Sequence, residues 1–177
     1  MIAVIIDVSE LRKVKGRSEE FLDHIPDIFL NVVGQKTTFS ALTVECEATN
    51  TGEGIYVLGK ITGVVDLICS LCLKKYSVDF KTPFAENFYR EGEFLLKDAD
   101  EPLPIYHGDE IDISDNIREA LQLMLPMKPV CSKDCKGLCP HCGCDLNIQQ
   151  CDCTTEEIDP RLAVLGQLIK DPNKNSK

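Results

Sequence analysis

Tryptophan is missing from the chain, and histidine and methionine are scarce: 177 residues contain no Trp, three His and three Met. The histidines, His24, His107 and His141, lie far apart in sequence and are read as surface residues rather than bases. Glycine-rich phosphate loops and a serine at a nucleophile elbow are also lacking, so neither a nucleotide fold nor a hydrolase is indicated. No stretch approaches the roughly 20 apolar residues of a membrane-spanning helix. The opening run Met1 to Asp7 is apolar but short, without a basic flank or a small-residue cleavage site, and reads as a β-strand rather than a signal peptide. Repeats and low-complexity runs are absent. These absences point away from an enzyme, a small-molecule substrate and a membrane. What remains, 44% hydrophobic and 27% charged residues, is the balance of a soluble globular protein.

Basic residues are outnumbered, 19 against 29 acids, for a formal charge of −10. That excludes a protein that merely coats nucleic acid, because phosphate binding needs Lys and Arg gathered on one face. The acids concentrate between Glu91 and Glu119, where ten carboxylates face only Lys97 and Arg118. Lysines instead flank cysteines: Lys74, Lys75, Lys128, Lys133 and Lys136. The net charge can therefore conceal a basic face.

Cysteine, by contrast, is plentiful. The ten stand at 46, 69, 72, 131, 135, 139, 142, 144, 151 and 153. Pairs spaced C-x2-C, C-x3-C and C-x-C, without a secretion signal, read as metal ligands rather than disulfides. Cys139-Pro-His-Cys142-Gly143 has the form of a zinc knuckle, whose tight turn points both sulfurs inward and aims backbone N–H groups at them. Cys151-x-Cys153 can return to complete four thiolates around one closed site. Cys131-x3-Cys135 is left three residues from that knuckle, too close to fold back on it. The hairpin pair Cys69-x2-Cys72 is its better partner, and a second ion there would pin the C-terminal module to a sheet, since loop-closure cost grows only logarithmically with span. One zinc ion or two are both admitted. Cys46, among alternating apolar neighbours, reads as a small core residue, and Cys144 is left unassigned. Cys135-x3-Cys139-x2-Cys142 also matches the three-cysteine motif of radical S-adenosylmethionine enzymes, but barely 35 residues follow it. An iron site of an electron carrier is a further alternative.

Around these cysteines the pattern predicts an α+β fold. Ser9 to Ile25 carries apolar residues at mostly helical spacing, interrupted by Gly16. Leu42 to Ala48 alternates with period two. A turn at 50–54 leads into a strand from Ile55 to about Cys69, with Gly59 and Gly63 expected at bulges or bends. Lys74 to Arg90 returns as the partner of a hairpin with Ser70-Leu71 at its tip. Residues 91–111 read as a long acidic connection. Asp112 or Ser114 should cap a helix ended by Pro126, and a last helix should open at Asp159-Pro160. The expected architecture is an antiparallel β meander with flanking helices and a C-terminal cysteine-rich zinc-bound module. Its divisions are a sheet domain over 1–126, a zinc-ribbon-like module with terminal helix over 127–171, and a frayed tail over 172–177.

The hairpin turn Cys69-x2-Cys72-Leu73 is followed by Leu125-Pro126-x2-Pro129-Val130-Cys131, Cys135-Lys-Gly-Leu-Cys139-Pro-x-Cys142-Gly, Asp145-Leu-Asn147, Cys151-x-Cys153 and Ile158-Asp-Pro-Arg-Leu162. Together these resemble the YceD-like family, the large ribosomal RNA subunit accumulation proteins, over roughly residues 1–170. The resemblance implies a cytoplasmic, non-catalytic ribosome-biogenesis factor supporting synthesis, processing or stability of 23S ribosomal RNA. It carries over as thiols Cys69, Cys72, Cys131, Cys135, Cys139, Cys142, Cys151 and Cys153, and implies ribosomal RNA or a ribosomal or assembly protein as partner. Leu71 departs from the Arg that family members commonly place between the hairpin cysteines. A second reading is a zinc-stabilised adaptor that meets a basic protein through residues 91–112 without touching RNA.

Overall fold

The computed structural model describes residues 3–32, 35–92 and 103–153. The chain divides into two compact units, Met1–Cys69 with Lys74–Cys131, and Ser70–Leu73 with Ser132–Lys177.

The first unit is built on long strands. β4 (Gln35–Asn50), β5 (Ile55–Ile68) and β6 (Lys75–Arg90) form an antiparallel meander. Along β4, Leu42, Val44, Cys46 and Ala48 are buried while Thr43, Glu45, Glu47 and Thr49 face outward, as period-two alternation demands. β2 (Ser18–Ile25) and β3 (Ile28–Val32) both pair with β4, and β7 (Ile105–Tyr106) runs parallel to the end of β6. A separate two-stranded ribbon joins β1 (Ile5–Asp7) to β8 (Glu110–Asp112).

Several expectations are corrected. Ser9 to Ile25 is not a helix: a single 3-10 turn, Leu11–Lys13, precedes β2. The edge of the 16-residue β4 offers a row of backbone donors and acceptors, and all eight residues of β2 pair with it, from Ser18 against Thr49 to Ile25 against Leu42. Satisfying that ladder outweighs a helical spacing of apolar residues already broken by Gly16. The described stretches of 91–111 carry β7 and β8. Flanking helices are not found: among the described residues there is one α-helix, α1 (Ser114–Leu123). The helix expected from Asp159 and the tail 172–177 lie outside the described residues. α1 buries Ile117, Ala120 and Leu121, with Ile113 beside them, in the hydrophobic core. No side chain caps it. Asp112 instead accepts hydrogen bonds from the Ser114 backbone and hydroxyl.

Gly59 lies in regular register opposite Cys46, whereas Gly63 stands opposite a bulge, with Ala41 and Leu42 of β4 facing it between the Ser40–Val64 and Thr43–Thr62 pairs. The register shift lies between Ser40 and Thr43 of β4, where Ala41 takes φ +51°. The two glycines serve packing. A Cβ on Gly59 would stand 2.5 Å from the Phe84 ring and 2.7 Å from Cys46 Cβ, and one on Gly63 would stand 2.8 Å from Leu42. Gly59→Ala is expected to cost about 1–3 kcal/mol by overpacking, seen as a lower urea midpoint at constant slope. An unchanged midpoint would show that Phe84 yields freely. Pro83 sits within β6 opposite Lys60. It is tolerated because the other side of β6 is paired only at Tyr89 and Arg90 among the described residues.

Candidate metal centre

The second unit is a cysteine-rich coil held by tight turns. Gly143 N–H donates to the Cys139 carbonyl at 2.9 Å, and Cys139 N–H donates to the Cys144 carbonyl at 2.8 Å. Gly143, at φ +73°, supplies the left-handed residue that closes the turn. The hairpin tip repeats this device. Leu73, directly after Cys72, has φ +58°, and Cys69 N–H donates to the Lys74 carbonyl at 2.9 Å. That conformation costs an L-residue about 1 kcal/mol or more, a departure that no propensity argument from Leu would foresee.

Eight cysteines gather into two sets of four. Cys69, Cys72, Cys131 and Cys135 form one, and Cys139, Cys142, Cys151 and Cys153 the other, with the sulfurs of each set all within 4.8 Å of one another. A tetrahedral ion with Zn–S bonds of about 2.3 Å requires sulfurs about 3.8 Å apart, a spacing within reach of both sets. Four thiolates close the coordination sphere and leave no open position.

The electrostatics of the second set agree with that donor chemistry. Backbone N–H groups of Cys142 and His141 point at Cys139 and draw its thiol down to about 6. The Cys144 N–H lowers Cys142 in the same way. A side-chain hydrogen bond with Cys142 holds the proton on Cys153 and, with desolvation behind it, pushes that thiol up to about 12, and likewise Cys144. Four sulfurs this close cannot all ionise against one another; a divalent cation is the counter-charge that lets them do so.

The two cysteines outside the sets have separate places. Cys46 is buried beneath the sheet, 6% exposed, and burial pushes its thiol up to about 11. Cys144 lies in hydrogen-bonding contact with Cys142 and Cys151. Of the histidines, His24 lies on β2, not in a helix, against the Thr43 hydroxyl. His107 pairs with Glu91, and His141 is an exposed knuckle residue. An open cavity of about 630 Å³ on the sheet face is lined by Glu20, Glu45, Glu47 and Leu58. Its Lys60 is neutralised by Glu45 at 2.6 Å, and no histidine or hydroxyl lines it.

Sheet and paired cysteine sets together define a β-sheet protein carrying a coil with two four-cysteine sets able to hold metal. The chain belongs to the YceD family, described as "Large ribosomal RNA subunit accumulation protein YceD", whose profile matches residues 57–169, well over half its length. It is similar to the chloroplastic large ribosomal RNA subunit accumulation protein YCED homolog 1 of Arabidopsis thaliana, 44% identical over 33% of this chain and 18% of that protein. An uncharacterized protein of Mycobacterium tuberculosis is 29% identical over 72% of this chain and 62% of its own length. The uncharacterized protein YlbN of Bacillus subtilis is 30% identical over 65% and 66%. The chain thus spans less than two thirds of each of these relatives. No solved structure matches it significantly. No described helix is long and apolar enough to cross a membrane.

Proposed function

We propose that the protein is a non-catalytic, cytoplasmic ribosome-biogenesis factor supporting synthesis, processing or stability of 23S ribosomal RNA. Its eight paired cysteines hold two zinc ions as architecture. Membership of a family described by large-subunit ribosomal RNA accumulation carries this reading, and the relative from Arabidopsis bears the same description. The closed thiolate sets support a structural role for the metal, since neither offers a position to substrate.

Zinc then fixes the turns so that the charges beside them face RNA or a ribosomal or assembly protein. Lys74, Lys75, Lys133 and Lys136 are exposed and close in sequence to thiolate ligands. Replacing all four by alanine is expected to leave zinc content unchanged, because none is a ligand. It should flatten the salt dependence of association with 23S fragments by about one unit of slope for each phosphate no longer neutralised, and lower 23S relative to 16S RNA in cells. Normal 23S levels with salt-insensitive partner binding would reject the RNA-facing patch and favour the adaptor, with residues 91–112 as its surface.

A further inference from the structure

The segment Asp145-Leu-Asn147 supplies no thiol, yet side-chain and backbone hydrogen bonds run from all three of its residues. It lies in the loop between Cys142 and Cys151, so by sequence it belongs to the second set. Its hydrogen bonds lead elsewhere. Asn147 Nδ2 donates to Cys135 Sγ at 3.6 Å, and Asn147 Oδ1 accepts from the Lys136 backbone N–H at 2.9 Å. Cys135 is a ligand of the first set. The Asn147 side chain is itself fixed by Asp145, whose Oδ1 accepts from Asn147 N–H at 2.9 Å and from Nδ2 at 2.7 Å. The backbone continues the seam: Leu146 N–H donates to the Gly137 carbonyl at 2.9 Å, and Leu138 bridges Asp145. The end of that seam is the Cys139 N–H to Cys144 carbonyl bond, at the knuckle itself.

We propose that Asn147, held by Asp145, is a positioning residue for Cys135, and that it couples the two thiolate sets so that filling the second strengthens the first. The physical basis is outer-sphere support. An N–H donor to a ligand sulfur fixes its orientation and stabilises its charge, and such partners commonly change metal affinity 10–100-fold. The loop that presents the donor is itself ordered when Cys139, Cys142, Cys151 and Cys153 close around an ion. Order gained at one set is therefore delivered to the other through a single amide. This rests on the metal reading above.

The test is a double-mutant cycle on the full-length chain loaded with cadmium. Chelator competition is followed by cadmium NMR, with one resonance per tetrathiolate ion and the first-set signal assigned by its disappearance in Cys72→Ser. Asn147→Leu and Cys142→Ser are each expected to weaken the first-set ion about tenfold, and the double variant no more than either alone. Asn147→Asp keeps the acceptor for Lys136 but removes the donor to Cys135. It should weaken the same ion at least as much, and it carries the test if Asn147→Leu does not fold. First-set affinity unchanged in Asn147→Asp, or additive losses in the double variant, would overturn the coupling while leaving two bound ions intact. A wild-type chain that binds fewer than two ions would instead overturn the two-ion reading, and the coupling with it.

Discussion

Replacing Cys142 by serine will remove one zinc ion per chain and disorder residues 139–153 while the meander stays folded. A structural zinc contributes on the order of 10 kcal/mol of apparent binding energy, and a missing ligand should lower affinity at that set by at least about a hundredfold, above what an outer-shell partner costs. The coil has nothing else of comparable size to hold it. Among its described residues only Cys72, Gly137 and Cys139 are buried, and no residue of 132–153 joins the hydrophobic core. The expected readout is a fall from two zinc ions to one by elemental analysis. Hydrogen exchange should show loss of protection at the Cys139, Gly143 and Leu146 amides and retained protection in β4 and β5. Loss of protection throughout the sheet would show that the two units do not fold separately. Iron in place of zinc, with visible charge-transfer absorption, would point to an electron carrier.

The second large effect belongs to the sheet. Phe39 is fully buried and meets Phe80 edge to face, with centroids 5.7 Å apart and planes at 86°. Phe39→Ala removes that pair and leaves a cavity, for an expected loss of about 3–5 kcal/mol. Domain stabilities run to only about 5–15 kcal/mol, so the thermal midpoint should fall by about 10 °C or more. Leu58→Ala is the control, since Leu58 is 49% exposed and its truncation should stay within about 0.5 kcal/mol. Zinc content of the folded fraction should not change. A drop equal to that of Leu58→Ala would mean the site collapses onto the gap. Loss of zinc together with stability would show that the sheet and the coil melt as one.

What was legible in the sequence was what local chemistry dictates. Cysteines a few residues apart can reach one ion whatever surrounds them, so spacing marked the pairs as candidate ligands, and the resemblance implied all eight that the fold gathers into two sets of four. The strict alternation from Leu42 to Ala48 could only be a strand with one buried face, and the stripe Ile113, Ile117, Leu121 could only be a helix with one buried side. The family resemblance rested on the same short strings.

Tertiary structure decided what depends on a distant partner. Ser18 to Ile25 has no fixed state of its own; it is a strand because β4 extends far enough to pair with all of it. Gly59 reads like a bend in isolation and is instead the space that Phe84 occupies. Leu73 holds a left-handed conformation because the hairpin turn must bring Cys72 round, and nothing in leucine announces it. Asn147 is an ordinary polar loop residue until the fold carries Cys135 to it across a seam of backbone hydrogen bonds. In each case local preferences are worth at most about 1 kcal/mol. Ladder hydrogen bonds, steric fit and thiolate pairing at long range are worth more, and they settle the outcome.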